Sequence, residues 1–283
     1  MSRPARFGAR RGDLPTPPYG LRRLIALLLV VILVLLVWRS GVIGAFFGSG
    51  GSKAAATDTT PGPSQTPETT SSTNGPRVAV PDCSTGKALT GYTSYEDWWL
   101  SLLDTRYRLK EDYVPPDLVS AKRAGFAKRF LVRKLVIDDL TALREASAKA
   151  GRRVDIVAAY RSFDQQASLY NLRKESGDAG LLADTAVPGH SEHQLGTTID
   201  FKSASATDVD VSWAETKTGR WMANNAWKFG FVMSYPKGKR GVTCYPWEPW
   251  HFRYFGADIA QRIHDSGMTV REFLWTLQPA NKL

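Results

Sequence analysis

The 283-residue chain is long enough for one or two domains, and its uneven composition leaves roughly the last two hundred residues reading as globular. Its net charge of +10 is not a nucleic-acid footprint. Arg3, Arg6, Arg10, Arg11, Arg22 and Arg23 against the single acid Asp13 put +5 of it in residues 1–23, and no nucleic-acid recognition motif follows. A nucleic-acid partner is therefore excluded, and half of the basicity reads as a membrane signal.

Leu24 to Trp38 is an unbroken apolar run, followed by Arg39 and a second apolar patch from Val42 to Phe47. Fifteen helical residues reach about 22 Å at 1.5 Å each, whereas a bilayer core needs about 30 Å. Either Arg39 snorkels and Ser40 to Phe47 complete a span, or the run is the apolar core of a cleaved signal peptide. The nearest small-x-small pattern, Ala54-Ala55-Ala56, lies far beyond the usual cleavage distance. The expectation is thus a basic cytoplasmic tail over residues 1–23 and one transmembrane anchor over 24–47. The arginines stay inside, so the C-terminal bulk is outside the cell. Residues 48–79, rich in Gly, Ser, Thr, Pro and Ala, read as a disordered linker, which leaves 80–283 as the working domain.

In that domain, Tyr95, Trp98, Trp99, Leu102 and Leu103 recur at helical spacing behind Thr93 or Ser94 as a cap. Ile137, Leu140, Leu143 and Ala146 mark a helix running to Gly151, and Val154 to Ala159 a buried strand. Ser162 opens a helix through Leu169 and Tyr170, and Thr216 to Phe229 forms another, stopped by Gly230. Thr198–Phe201, Phe231–Ser234 and Trp250–Tyr254 read as short strands. Without a regular βαβ rhythm or an internal repeat, the fold class is α+β, with helices packed against a small, mostly antiparallel sheet.

The two cysteines, Cys83 and Cys244, fall on the expected outer side, where thiols oxidise. A disulfide between them would brace the loop ahead of Glu248. Zinc ligation by the thiols is the rival reading, weakened by the lack of any C-x-x-C neighbour.

The residues richest in chemistry lie in Ser191-Glu192-His193-Gln194-Leu195-Gly196-Thr197-Thr198-Ile199-Asp200 and in Glu248-Pro249-Trp250-His251. They hold two of the four histidines, and hydrolytic zinc takes three protein ligands from His, Asp and Glu beside a carboxylate that is not a ligand. Gly196 would let the backbone bring His193 alongside Asp200. Pro249 cannot join a central ladder, so Glu248 belongs in the turn before the strand that carries His251. His190 reads as ordering its loop or touching substrate, and His264 as a surface residue of a late amphipathic helix.

These stretches resemble the S-x-H-x-x-G-x-A-x-D and E-x-W-H signatures of the zinc D-alanyl-D-alanine carboxypeptidases and dipeptidases of the VanY type. The resemblance extends over roughly Leu103 to Trp275, through Glu111-Asp112-Tyr113-Val114-Pro115, Tyr160-Arg161-Ser162, Gly230-Phe231, Ser234-Tyr235-Pro236-Lys237-Gly238 and Arg253-Tyr254. It implies a Zn2+ held by His193, Asp200 and His251, with Glu248 as general base. It also implies that Arg161, Gln166, Ser191 and Tyr235 surround a terminal D-alanine, and Trp250 is counted with these substrate contacts. Two departures stand out. Thr198 replaces the usual alanine and is expected to face away from the ligands, and Cys244 occupies a loop position where a small residue such as glycine is expected.

The implied activity is zinc-dependent removal of the C-terminal D-alanine from peptidoglycan stem peptides. Arginine suits this independently, because its fork recognises a carboxylate with paired, charge-assisted hydrogen bonds. Arg161 is the candidate clamp, with oxyanion stabilisation as its other possible task. Rival activities are an L,D-carboxypeptidase, a D,D-dipeptidase or an endopeptidase on the same polymer. A non-catalytic wall-binding zinc domain is the rival of a different class, and the intact Glu248 argues against it.

Overall fold

The short strands expected from the sequence join into one sheet. The computed structural model describes residues 78–278. Among these, β1 (Ala88–Leu89) and β2 (Tyr107–Arg108) pair in parallel, and β3 (Leu118–Ser120) and β4 (Leu131–Arg133) pair antiparallel. The main sheet takes β5 (Val154–Ala158), β6 (Thr198–Ser203), β7 (Phe231–Met233) and β8 (His251–Tyr254) in the order β5-β6-β8-β7, with every pairing antiparallel. The helices are α1 (Ile137–Lys149), α2 (Phe163–Glu175), α3 (Ala179–Ala183), α4 (Lys217–Asn225), α5 (Arg240–Thr243), α6 (Ala257–Ser266) and α7 (Val270–Thr276). The α+β expectation therefore holds for the domain.

Alternation along the strands gives the sheet two unlike faces. Ile199, Phe201 and Phe252 lie on one face and are buried with Ile156 and Phe231 against Leu140 and Leu143 of α1 and Met222 of α4. Each such side chain contributes about 1.5–3 kcal/mol by leaving water. The other face receives Asp200, which stands opposite His251 in the β6–β8 register. Thr198 lies two residues before Asp200 and opposite Arg253, so it shares the ligand face. That corrects the expectation that it turns away from the ligands.

The apolar run from Tyr95 to Leu103 is also not a helix; bends and turns carry it instead. Its side chains serve three separate clusters, Trp98 packing on the sheet core, Trp99 and Leu102 on α6 and α7, and Tyr95 and Leu103 around Leu109 and Leu195. A single helical stripe cannot point three ways. The carbonyls of Trp98 and Trp99 are also taken by Arg253, at 2.9 and 3.5 Å, and do not serve an intrahelical ladder.

Elsewhere the punctuation holds. Gly151 follows α1 at φ 68°, and Gly230 caps the 3₁₀ turn Ala226–Phe229 that continues α4, at φ 83°. Ser162 and Gln165 exchange bonds in a capping box at the start of α2, which fixes the exit from β5 beside Arg161. Cys83 and Cys244 form a disulfide with Cα atoms 5.1 Å apart, so the rival reading of thiol zinc ligands falls. Among the described residues no helix is long and apolar enough to cross a membrane. The expected tail, the expected anchor and residues 48–77 of the expected linker lie outside them.

Candidate metal centre and cleft

The first motif folds into a 3₁₀ turn, Glu192–Leu195, that feeds directly into β6. Ser191 caps it, and Gly196 ends it at φ 72°, where an added Cβ would lie 3.0 Å from Leu118 and 3.1 Å from Arg133. Only glycine meets both the conformation and the close approach. The result brings His193 Nε2 to 3.2 Å from Asp200 Oδ2. The cross-strand register does the rest, placing His251 Nδ1 3.2 Å from Asp200 Oδ1.

The ring nitrogens are differentiated by their partners. His193 Nδ1 donates to the Ala159 carbonyl at 2.8 Å, which leaves Nε2 with its lone pair toward Asp200. Burial holds the His193 pKa below its ordinary value, so the ring stays neutral. On His251, Nε2 donates to Glu192 Oε2 at 2.9 Å, and Nδ1 faces Asp200 and, at 3.3 Å, Glu248 Oε2.

His193, Asp200 and His251 offer ligand atoms that all lie within 4.8 Å of one another. Donors each about 2.0–2.1 Å from one tetrahedral ion stand roughly 3.4 Å apart, close to the 3.2 Å separations found here. The charge balance agrees. Burial works against a charged His251, yet hydrogen bonds to Asp200 and Glu192 raise its pKa to about 10. An imidazole so placed stands in for a cation among carboxylates, and the set fits a divalent ion with His and carboxylate ligands.

Glu192 had no role in the sequence reading, and the structure gives it one. It is fully buried, accepting from Arg253 Nη1 at 3.0 Å and Ser234 Oγ at 2.6 Å as well as from His251. Burial opposes its charge, but Arg253 and His251 hold its pKa down to about 2. It thereby orients the His251 ring, as outer carboxylates do around metal-binding histidines. A buried acid directly beside His193 was the available signal, but its partners are 42 to 61 residues away.

All nine residues named from the sequence line one cavity of about 400 Å³: Arg161, Gln166, Ser191, His193, Asp200, Tyr235, Glu248, Trp250 and His251. Glu248 sits in the turn ahead of β8, its carbonyl accepting from His251 N at 3.1 Å. Burial, aided by Asp200 and opposed by His251, pushes its carboxyl up to about 7. Such a group can both take and return a proton near neutrality. Arg161 follows β5, its Nε is buried without a partner, and burial lowers its pKa against the pull of Asp200 and Glu248.

Gln166 donates to the Ala186 carbonyl at 2.6 Å and keeps a buried, unpartnered Oε1. The Tyr235 ring lies 4.6 Å from that of His251, and burial raises its phenol far above the ordinary range, so it remains a donor. His190 stays outside the cleft, bonding the Asp104 carbonyl at 2.7 Å, while exposed His264 stacks on Trp227.

The comparisons with known proteins converge on this region. Residues 129–257 match the VanY family model, described as D-alanyl-D-alanine carboxypeptidase. The chain is 35% identical over 181 residues to the putative carboxypeptidase YodJ of Bacillus subtilis (strain 168), a match covering 62% of this chain and 66% of that protein. Among solved structures it resembles the LdcB LD-carboxypeptidase, with TM-score 0.57 and 33% identity over 62% of this chain and 86% of that one. It also resembles a D,D-pentapeptidase VanY from a VanB-type resistance cassette in complex with Zn(II), with TM-score 0.53 and 26% identity over 62% of this chain and 99% of that one. Since every cleft residue argued above falls inside the matched span, the chain belongs to the VanY family of metallopeptidases, that of the D-alanyl-D-alanine carboxypeptidases.

Proposed function

We propose that this protein is a zinc-dependent D,D-carboxypeptidase that removes the terminal D-alanine from peptidoglycan stem peptides. The observation that carries the reading is the meeting, in one cleft, of a His-Asp-His triad, a carboxylate with its pKa near neutrality and an arginine, Arg161, whose buried Nε has no partner.

His193, Asp200 and His251 would hold the metal. When bound, zinc supplies a Lewis acid for a carbonyl and lowers the pKa of water. The protein's residues do the rest. Arg161 pairs with the terminal carboxylate of the substrate, aided by the hydroxyls of Ser191 and Tyr235, and so fixes which peptide bond meets the triad. Gln166 and Trp250 wall the pocket for the leaving residue. Glu248 accepts a proton from the attacking water as its oxygen bonds to the peptide carbon, and delivers that proton to the departing D-alanine amine as the C–N bond breaks.

An L,D-carboxypeptidase is the second reading, favoured by the 33% identity to LdcB, whose structure is described as revealing the basis of peptidoglycan recognition. Incubating the purified protein with penta- and tetrapeptide stems, with and without a chelator, separates the two. D-alanine released from the pentapeptide alone supports the D,D activity, and release from the tetrapeptide alone supports the L,D activity. No chelator-sensitive release from either stem refutes both.

The setting we propose is the outer face of a membrane, with residues 24–47 as anchor and the N-terminus cytoplasmic. The basic segment before the apolar run and the Cys83–Cys244 disulfide, which suits an oxidising compartment, support it. Protease added to intact cells should remove the domain from the surface; full protection would refute this placement.

A further inference from the structure

Ten described residues have a positive φ; nine are glycine and the tenth is Cys244, at φ 69°. Cys244 ends α5 in the left-handed conformation, its N–H bonded to the Arg240 carbonyl at 2.8 Å. Glycine adopts that turn without a steric penalty and any other residue resists it. The residue found there is instead bonded covalently to Cys83.

The cross-link is anchored from behind. Thr105 Oγ1 donates to the Cys83 carbonyl at 3.1 Å. The buried Arg271 guanidinium donates to the carbonyls of Pro81 and Val242, at 2.9 and 2.8 Å, and to Asp104 Oδ2 at 2.7 Å. Both sides of the disulfide are thus tied to α7. In front of it, Tyr245, Pro246, Trp247 and Glu248 follow directly and all line the cleft. Tyr245 packs on Tyr235 with ring centroids 5.2 Å apart, and Glu248 N bonds the Tyr235 carbonyl at 3.1 Å. The triad is held differently, by the β6–β8 ladder and by the turn that Gly196 closes.

We propose that Cys244, through its bond to Cys83, is a positioning residue that sets Glu248 and not the metal. The disulfide forces the left-handed turn four residues ahead of the proton acceptor. Reduction lets Cys244 relax toward ordinary backbone angles and displaces Tyr245 to Glu248, while His193, Asp200 and His251 stay in place. The protein would then be fully active only after oxidation, a metal-loaded but slower form persisting while the thiols are free. This inference rests on the proposed function for the roles of Glu248 and the triad and for its activity and zinc readouts, while amide exchange reads the positioning independently.

The test compares the full chain, oxidised and reduced with a phosphine that does not compete for zinc as a thiol does. Three quantities are read: D-alanine release, zinc per chain, and amide hydrogen exchange at Cys244 and Glu248. Reduction should lower kcat at least about tenfold, in line with the cost of misplacing a catalytic group, leave the zinc content unchanged, and raise exchange at those two amides before that of β6 and β8. The pair Cys83→Ser with Cys244→Ala should behave like the reduced protein. Cys83→Ser with Cys244→Gly should return kcat to within about threefold of the oxidised protein, because glycine restores the turn without the bond.

Loss of zinc together with turnover on reduction would make the disulfide a general staple and overturn the proposal. So would equal activity of the alanine and glycine pairs. If the oxidised protein releases no D-alanine from any stem, the proposed function fails, while amide exchange at Cys244 and Glu248 on reduction still decides this inference.

Discussion

Two sets of cleft residues, a metal wall and a reagent wall that meet where Glu248 lies 3.3 Å from His251, are held by different means. On one, Asp200 and His251 face each other across two paired strands, and His193 is held by a turn whose only side-chain-free residue, Gly196, is closed in by Leu118 and Arg133. On the other, Arg161 and Glu248 sit in connections, one leaving β5 and one entering β8. The metal wall rests on the β6–β8 ladder and the turn that Gly196 closes, and the reagent wall on single backbone bonds, Arg161 N to the His193 carbonyl and Glu248 N to the Tyr235 carbonyl, next to a capping box and a disulfide. The difference separates holding from reacting: damage to the first wall should cost the ion, and damage to the second should cost turnover with the ion in place.

The largest effect should come from the metal wall. A chelator, or His193→Ala, should reduce D-alanine release to background, and readded zinc should restore the chelated protein but not the variant. Zinc content measured alongside activity checks this. Next comes Glu248→Ala, expected to lower kcat by about 10²–10⁴-fold, the range for a general base, with zinc binding unchanged. A Glu248→Ala protein with near-normal kcat, or one that has lost its zinc, would erase the distinction between the walls.

Glu192 tests whether the metal wall has a second layer. Glu192→Gln keeps the shape but removes the charge that Arg253 and His251 share. Zinc affinity should fall by about 10–100-fold, the usual cost of losing an outer carboxylate. The melting temperature should fall too, since Arg253 is left buried with less compensation. Competition titration with a zinc chelator reads the first effect and calorimetry the second. Unchanged zinc affinity would reduce Glu192 to a structural partner of Arg253.

What the sequence disclosed follows from the same contrast. That His193, Asp200, His251 and Glu248 meet in one cleft was legible because a candidate metal site needs a few residue types at short spacing, and both motifs are local. Gly196 and Gly230 could be read as turns because a left-handed backbone selects glycine. Glu192 was passed over although it adjoins His193, because its task is defined by Ser234, His251 and Arg253, which the fold brings from 42 to 61 residues away. The run from Tyr95 to Leu103 failed for a related reason. Apolar spacing records that side chains are buried but not that they are buried in one direction, and here tertiary partners, above all Arg253 taking the Trp98 carbonyl, override the local period.

The smallest effect concerns Thr198, which the β6–β8 register turns toward the ligand face. Asp200 and Thr198 are two apart on β6, so they share a face, and the Thr198 hydroxyl is buried with no hydrogen-bond partner. An unsatisfied buried hydroxyl costs about 1–3 kcal/mol in desolvation. Thr198→Val removes it while keeping a β-branched side chain of similar shape, which suits a strand. The variant should therefore be more stable, by about 1 kcal/mol once imperfect packing of the new methyl is allowed for, with zinc content and kcat unchanged. Urea unfolding at constant m reads the gain. A loss of stability would mean that the hydroxyl has a partner which the ligand face supplies when the metal is bound, and would move Thr198 from the packing of the sheet into the metal wall itself.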